Sequence, residues 1–371
     1  MTSEEFLALR FSFFKVVNIQ LTRRCPLKCR HCAVDAPGGK LAAADPAHLR
    51  RWVADVSEAG SVEWLSVSGG EPFAAVTELG ALLGAATEHG LSTQVATSGF
   101  WAGSARAARD TLLNIPAISF LIVSTDEFHE EFVPLPTVVR AIEAGLASAG
   151  HVGVQITVGP DHVAFMRRLC DRMGTELLRQ VDIIEVPLRW SGRAKSTGVA
   201  QAPAKDTRLP EGYCLMLAAP VIREDGALVA CCHSDLVQGR EQTALYLGNL
   251  KDTTLAEFMA RVDSDVYLQT LRVYGPQAIA REAMGRNWGW RPRAYEAENI
   301  CDLCHDLAVN RPVVEGFRTT HDNPQYRREL ALMRLVRYGE TWPLEAIKRD
   351  GAPRPLRRDP GVEVARPGRA V

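Results

Sequence analysis

The sequence has 371 residues, of which 46% are hydrophobic and 23% charged, the usual range of globular proteins. Its 43 lysines and arginines balance 44 acidic residues, so the formal charge is -1 and a general polyanion-binding surface is excluded. We therefore expect no nucleic-acid partner. The N-terminal stretch is acidic before any apolar run, and no apolar run reaches the roughly 18 residues of a membrane helix. We expect no membrane partner and a location in the cytoplasm.

Six short runs rich in β-branched residues alternate with helical patterns along the first half of the chain. This alternation predicts a parallel sheet with βα crossovers. After the first run, Asp45 suits a helix N-cap and Pro46 the first helical position. After the fifth run, Val163, Leu169 and Cys170 belong to an apolar helical stripe that we expect in the core. The runs cover residues 16–22, 62–67, 92–97, 118–123, 151–158 and 181–186.

The alternation of strand and helix patterns stops near residue 187, where Gly, Pro, Ser and Ala become frequent. We infer three parts: residues 1–200, a second unit over residues 201–310, and residues 311–371. The third part begins with helical sequence. Its end, residues 351–371, holds four prolines and five arginines against two acids, which is typical of a disordered tail.

Three cysteines lie on one short segment directly after the first predicted strand. Cys25, Cys29 and Cys32 form a CxxxCxxC pattern, at the carboxyl end of a parallel strand, where α/β folds place ligand sites. Structural zinc sites use four protein ligands, and a 4Fe-4S cluster normally takes four thiolates. Three thiolates therefore predict a cluster with one iron left open to a molecule that binds and reacts.

A glycine-rich turn follows the second predicted strand in the segment SVSGGEPF, residues 66–73. Gly69 and Gly70 let the backbone approach a ligand closely, and Glu71 can accept a hydrogen bond from an amino group. Alone, this segment also fits an ordinary turn. Because it lies beside the cysteine pattern, at the ends of consecutive strands, the two segments together predict one cofactor site.

These two motifs resemble those of the radical S-adenosylmethionine (SAM) superfamily, over residues 16 to about 200. The resemblance implies an α/β fold in which six parallel strands form a partial (β/α)6 TIM-like barrel. It implies that the three cysteines hold a 4Fe-4S cluster, that SAM binds the open iron, and that Gly69, Gly70 and Glu71 hold the SAM amino group. An electron from the cluster would then cleave SAM to a 5′-deoxyadenosyl radical, which abstracts a substrate hydrogen.

Further candidate residues follow the fourth predicted strand in the segment VSTDEFH. The resemblance matches Ser124 and Asp126 to a position that contacts the ribose or carboxylate of SAM, although both also fit a strand-end turn. His129 and Glu127 are candidates for a general base near the substrate, and a solvent-facing histidine fits equally well. The family usually carries an aromatic residue where this chain has His31.

Two arginines follow the sixth predicted strand in the segment RWSGRA. Arg189 and Arg193 lie at a predicted strand end, where they could bind a substrate. They equally fit a solvated loop.

A second group of cysteines lies in the C-terminal half. A glycine turn is expected to fold Cys231 back toward Cys214, and Cys301 and Cys304 form a CxxC pair, so four thiolates complete a tetrahedral set. The pattern resembles the shortened, twitch version of the SPASM domain, which implies a small C-terminal cluster-binding domain with a second, auxiliary 4Fe-4S cluster. A structural zinc site uses the same ligands. Cys232 competes with Cys231 for the same role.

The resemblance implies a radical SAM oxidoreductase. We expect oxidation of a small-molecule alcohol, such as a sugar or an aminocyclitol, because twitch-type relatives include such dehydrogenases. Modification of a ribosomally made peptide is the alternative. Epimerisation, with Cys232 or Cys170 as hydrogen donor, is a third hypothesis, and a non-catalytic zinc-binding protein is a fourth. The expected partners are a small-molecule or peptide substrate and an electron donor such as flavodoxin or ferredoxin.

Overall fold

The computed structural model describes residues 2–37, 43–202, 205–206, 208–233, 236, 239, 243–296 and 299–348. Within these residues the strands are β1 (Val16–Thr22), β2 (Trp64–Gly69), β3 (Ser92–Thr97), β4 (Phe120–Ser124), β5 (Val152–Val158), β6 (Asp182–Pro187), β7 (Lys205–Asp206), β8 (Val221–Ile222), β9 (Ala227–Val229), β10 (Tyr246–Asn249) and β11 (Tyr295–Glu296). Nine of them form one sheet in the order β10-β9-β8-β1-β2-β3-β4-β5-β6, and β7 pairs with β11.

The sheet is mostly parallel and open. Strands β1 to β6 pair in parallel, each with the next, so each of the six predicted runs is confirmed as a strand of a parallel sheet. The two ends of this parallel run, β1 and β6, are not hydrogen-bonded to each other. The α/β partial barrel expected from the sequence is therefore the observed architecture.

Helices connect the strands and cover one face of the sheet. They are α1 (Ser3–Phe11), α2 (Pro46–Glu58), α3 (Val76–Glu88), α4 (Ala105–Leu113), α5 (Leu135–Ser148), α6 (His162–Leu178), α7 (Gly192–Thr197), α8 (Leu255–Ser264), α9 (Val266–Val273), α10 (Pro276–Gly285), α11 (Ile300–Ala308), α12 (Arg311–His321), α13 (Pro324–Tyr338) and α14 (Trp342–Lys348). Helix α2 begins as predicted, because the Asp45 carboxylate accepts a hydrogen bond from the Ala47 N–H at 2.7 Å and Pro46 follows it.

The two faces of the sheet pack differently. Strand residues such as Leu65 and Val123 point into the main core formed with the helices. On the other, concave face, Phe6 of α1 contacts Trp64 and Phe120 edge-on, with ring centroids 5.4 and 5.6 Å apart. Helix α1 thus fills the concave face of the sheet near the amino ends of the strands and leaves the carboxyl ends for a site.

Helix α6 departs from the predicted stripe. Leu169 is buried as expected, but Val163 is 63% exposed and Cys170 is only half-buried. Phe165 takes the core position instead. The predicted core positions of Val163 and Cys170 are therefore wrong, because the helix presents a face rotated from the one that the apolar residues suggested.

The C-terminal half adds to the same sheet. Strand β8 pairs in parallel with β1, and β8 and β9 form the predicted hairpin. The boundary near residue 200 stays a prediction, and the predicted disordered tail, residues 351–371, lies outside the described residues. No helix in the described part of the chain is both long and apolar enough to cross a membrane.

Candidate functional site

The three N-terminal cysteines lie on the segment 23–36, which we call the cysteine loop and which leaves the carboxyl end of β1. Cys29 is buried, and Cys25 and Cys32 are half-buried. Burial raises the pKa of the Cys25 thiol to about 11, and burial and the neighbouring thiols raise the pKa of Cys29. Binding of a metal cluster here would therefore release protons as the thiols become thiolates.

The spacing of the sulfur atoms separates a cluster from a single metal ion. A tetrahedral zinc site with Zn–S bonds of about 2.3 Å would hold its sulfurs about 3.8 Å apart. Among the described residues, no three cysteine sulfurs lie within 4.8 Å of one another. In a 4Fe-4S cluster each thiolate binds a different iron, which requires wider spacing. Neither cysteine group in the described residues is therefore drawn together as tightly as a single zinc ion would hold it, and the choice between a cluster and zinc stays a prediction.

Gly69 and Gly70 bring the end of β2 against the cysteine loop. The Gly70 N–H donates to the Thr22 carbonyl at 2.6 Å, and the Glu71 N–H donates to the Arg24 carbonyl at 2.8 Å. A Cβ on Gly69 would lie 2.3 Å from the Thr22 oxygen, and one on Gly70 would lie 2.2 Å from the Arg24 oxygen. The glycines are thus required by the close approach of two backbones, while their predicted contact with SAM stays a prediction.

The Glu71 carboxylate is buried at the ends of β2 and β3 and accepts four hydrogen bonds. Oε1 accepts from the Thr97 hydroxyl at 2.7 Å and the Phe73 N–H at 3.1 Å. Oε2 accepts from the N–H and hydroxyl of Ser98 at 2.8 and 2.6 Å. Burial raises the pKa of Glu71 above its usual value. The predicted acceptor is therefore already engaged within the chain, and its contact with an amino group stays a prediction.

Asp126 joins two histidines directly after β4. Its Oδ1 accepts from the backbone N–H groups of Phe128 and His129 at 3.0 and 2.9 Å. Its Oδ2 lies 3.2 Å from Nε2 of His31 and 2.9 Å from Nδ1 of His129. Burial raises the pKa of Asp126, but the bonds to His129 and His31 outweigh it and hold that pKa well below its usual range. The cysteine loop is thereby joined to the β4 end through a side chain.

The remaining β4-end residues take different directions. Ser124 is half-buried and, two residues after Ile122, lies on the concave face with it. Glu127 lies against the loop after β5, where its Oε1 would be 2.5 Å from a Cβ on Gly159. Burial raises the pKa of Glu127. The structure therefore brings His129 to the cysteine loop and turns Glu127 toward the β5 loop.

The four C-terminal cysteines come from three separate segments that meet beside α9. Cys214 donates its N–H to the Leu271 carbonyl at 3.0 Å, and Cys304 is buried on α11. Burial raises the pKa of both thiols, to about 11 for Cys214; the Cys232 thiol raises that of Cys214 further, and the Cys214 and Cys301 thiols raise that of Cys304. Cys231 is half-buried, and its pKa is raised first by a hydrogen bond with the Cys232 thiol and then by burial and the nearby thiols. The predicted auxiliary set is thus brought together, while the choice between Cys231 and its neighbour Cys232 stays open.

Two features of the site were missed by the sequence analysis. Thr97 and Ser98 hold Glu71, and the signal for them was two hydroxyl residues at the carboxyl end of β3. Arg193, considered above as a substrate-binding residue, instead donates hydrogen bonds to the carbonyls of Cys29, at 3.1 Å, and Ala36. No local pattern marks that contact, because it joins residues far apart in sequence.

Comparison with known proteins gives one family and several relatives. Residues 19–168 match the family model described as the Radical SAM superfamily. Over 314 residues the chain is 20% identical to a Bacillus subtilis protein named "Putative peptide biosynthesis protein YydG", covering 82% of this chain and 95% of that protein.

Two solved structures are also similar to the chain. Streptococcus suis SuiB bound to the precursor peptide SuiA has a TM-score of 0.46 and 15% identity, over 66% of this chain and 64% of that chain. A structure of TYW1 with a lysine-pyruvate adduct bound has a TM-score of 0.32 and 12% identity, over 47% of this chain and 65% of that chain. The chain thus spans just under two thirds of each solved chain.

Proposed function

Residues 19–168 form a radical SAM domain, and on that premise we propose that this chain is an enzyme that modifies a ribosomally made peptide by radical chemistry. The observation that carries the proposal is the likeness to YydG, whose name describes a role in peptide biosynthesis. That likeness spans 82% of this chain and 95% of YydG, so it extends well beyond the shared radical SAM domain. Oxidation of a small-molecule alcohol, which the sequence analysis preferred, takes second place.

The cofactor residues of the proposal come from the ends of β1, β2 and β4. Cys25, Cys29 and Cys32 would hold a 4Fe-4S cluster with one iron open to SAM. The bound cofactors would supply the 5′-deoxyadenosyl radical. The backbone at Gly69 and Gly70 would bind the amino group of SAM.

The β4 end supplies further contacts in the proposal. Ser124, on the concave face, would contact the ribose or carboxylate of SAM. Asp126 is occupied by two histidines and two N–H groups, so we assign it to orienting those histidines and not to binding SAM. Its two oxygens are already within hydrogen-bonding distance of four groups, which supports this assignment.

A second part of the proposal is an auxiliary 4Fe-4S cluster on Cys214, Cys231, Cys301 and Cys304. Its support is that these thiols, from distant parts of the sequence, lie close enough to raise one another's pKa. A second cluster would accept an electron from a substrate radical, as an oxidation requires. Flavodoxin or ferredoxin is the proposed electron donor to the first cluster.

His129 is the proposed base. Its Nδ1 lies 2.9 Å from Oδ2 of Asp126, and a proton held on Nδ1 beside that carboxylate would leave Nε2 to take a proton from the substrate. Glu127 is the less favoured base because it faces the loop after β5. The predicted role of His129 therefore has a geometric reason that the sequence alone did not give.

The proposal is tested with anaerobically reconstituted protein, dithionite and SAM. The probes are synthetic peptides corresponding to short reading frames beside its gene, and in parallel a set of hexoses and aminocyclitols. We expect 5′-deoxyadenosine to form, and a peptide to change in mass. Loss of two hydrogens indicates oxidation, whereas uptake of one solvent deuterium without other change indicates epimerisation. Turnover of a sugar or aminocyclitol and of no peptide would overturn the peptide proposal.

The base is tested by His129→Asn. We expect 5′-deoxyadenosine still to form, while product formation falls by about 10²- to 10⁴-fold, because the variant keeps a polar side chain but loses the proton acceptor. His89→Asn, at the exposed end of α3, is the matched control and should leave both rates unchanged. An unchanged product rate in His129→Asn would exclude His129 as the base.

A further inference from the structure

The segment after β6 lies directly on the cysteine loop. The Arg193 N–H donates to the Cys32 carbonyl at 2.9 Å. The Arg193 guanidinium donates to the carbonyls of Cys29, at 3.1 Å, and Ala36, and its Nε lies 3.3 Å from the Asp35 carboxylate. One side chain, 17% exposed, therefore holds the middle and the end of the cysteine loop at once. The fork of the guanidinium makes this possible, since it presents several donors in fixed directions.

The residue before Arg193 is suited to the same contact. Gly192 has φ +52°, and a Cβ on it would lie 2.4 Å from the Cys32 carbonyl oxygen and 2.3 Å from that of Ala33. Only glycine fits this position without displacing the cysteine loop. At the end of α7, the Thr197 hydroxyl donates to the Arg30 carbonyl at 2.8 Å. Contacts therefore run along the whole of α7.

These contacts join parts of the sheet that no strand pairing joins. β1 and β6 lie at opposite ends of the parallel run and are separated by four strands. The segment 191–197, which we call the β6 latch, closes that gap at the mouth of the sheet. It also supplies a donor to each of four carbonyls of the cysteine loop, those of Cys29, Arg30, Cys32 and Ala36.

We propose that Gly192 and Arg193 of the β6 latch are positioning residues for the cluster: they hold the cysteine loop in its cluster-binding shape and place a positive charge beside the cluster. Groups outside the ligand set commonly orient metal ligands and tune the metal in this way. Charge and hydrogen bonds near a cluster also set its reduction potential. The inference rests on the radical SAM assignment but not on the identity of the substrate.

The test compares anaerobically reconstituted, full-length wild type with Arg193→Gln, Arg193→Lys and Lys195→Gln. Lys195 is exposed on the same segment, with its ammonium 4.5 Å from the centre of the Trp190 ring, so Lys195→Gln removes a matched charge. Two quantities are measured: the rate at which a chelator removes iron, and the midpoint potential of the EPR signal that changes when SAM is added. Only the cluster with an open iron gives that response.

We expect Arg193→Gln to lose iron about 10- to 100-fold faster, the effect typical of losing an outer partner of a metal ligand, and to have a lower midpoint potential. Arg193→Lys should restore the potential but not the resistance to chelation, because lysine keeps the charge without the fork. Lys195→Gln should match wild type in both. Circular dichroism checks that each variant is folded. If Arg193→Gln does not fold, Arg193→Lys still tests the inference.

Three results would count against the inference. If Arg193→Gln lost iron at the wild-type rate and kept the wild-type midpoint potential, the inference would be overturned and the radical SAM function would not. Equal effects in Arg193→Gln and Lys195→Gln would assign the result to overall charge. Wild-type protein without any SAM-responsive cluster would overturn the radical SAM function and the inference with it.

Discussion

Ser98 donates two hydrogen bonds to a single oxygen of Glu71, from its backbone N–H at 2.8 Å and from its hydroxyl at 2.6 Å. This pair ties the carboxyl end of β2 to that of β3, 27 residues later in the chain. Since the other Glu71 oxygen accepts from the Phe73 N–H, each oxygen faces one backbone donor. The carboxylate therefore acts as a joint between neighbouring strand ends.

Glu71→Gln tests this joint. Whichever oxygen becomes an amide NH₂, one backbone N–H, of Phe73 or Ser98, then faces another donor. We expect the free energy of unfolding to fall by about 1–3 kcal/mol, the cost of a buried unsatisfied donor. Urea unfolding of the metal-free, reduced protein gives the value. Glu88→Gln, at the exposed end of α3, is the control, and an equal effect in both variants would contradict a special role of Glu71.

Gly70→Ala tests the contact between β2 and the cysteine loop. The new Cβ would lie 2.2 Å from the Arg24 carbonyl oxygen, so the two backbones must separate. We expect reconstituted protein to hold less iron and to be at least about 2 kcal/mol less stable, as for other strained backbone substitutions. Gly80→Ala in helix α3, whose Cβ would meet only Ile115 at 4.0 Å, should be neutral or stabilising by up to about 1 kcal/mol. Full iron content in Gly70→Ala would show that the contact is dispensable.

The sequence predicted those parts of the molecule that depend on local pattern. Alternation of strand and helix signals located strands β1 to β6, and the spacing of Cys25, Cys29 and Cys32 marked the cysteine loop as the candidate cluster site. The Asp45 cap was readable because it involves adjacent residues. Each of these features is encoded within a few consecutive positions.

Contacts between distant segments could not be predicted in this way. Arg193 and Cys29 are 164 residues apart, and nothing near either one indicates the other. His31 and Asp126 meet only because β4 and the cysteine loop end at the same edge of the sheet. The error at Val163 has a related cause: the apolar residues of α6 form more than one possible stripe, and only the packing partner selects between them.

Iron analysis tests the two-cluster proposal. Wild type should hold about eight irons per chain, and Cys25→Ala/Cys29→Ala/Cys32→Ala about four, with 5′-deoxyadenosine formed by wild type alone. Cys231→Ser and Cys232→Ser then identify the auxiliary ligand, since only the ligand's removal should lower the iron content. Wild type holding zinc in place of iron would exclude the cluster proposal and favour a structural metal site. Iron retained in both single variants would mean that neither cysteine is an essential ligand.

Glu340 gives a prediction about pH, because it lies in a buried charge network that fastens the C-terminal helices to the core. Its Oε1 accepts from Arg272 at 2.5 Å, and its Oε2 accepts from Arg272 at 2.9 Å and Arg334 at 2.7 Å. Burial raises the pKa of Glu340, but the two guanidinium groups outweigh burial and hold it below its usual value. Both arginines also lie over the Phe13 ring, just before β1.

Because the folded pKa of Glu340 is lowered, the unfolded chain binds its proton more readily than the folded chain does. The stabilisation by ionised Glu340 is therefore complete at a pH above its unfolded pKa of about 4.3. It is lost as the pH falls from there toward the lower pKa of the folded chain. At neutral pH we expect the free energy of unfolding of Glu340→Gln to be about 3–5 kcal/mol lower than that of wild type, since two buried arginines lose their charged partner. The difference from wild type should shrink below about pH 4.

Urea unfolding of metal-free protein across that range measures this difference, with the exposed Glu345→Gln on α14 as control. A difference that stays constant down to the lowest pH would mean that Glu340 contributes through packing and not through its charge.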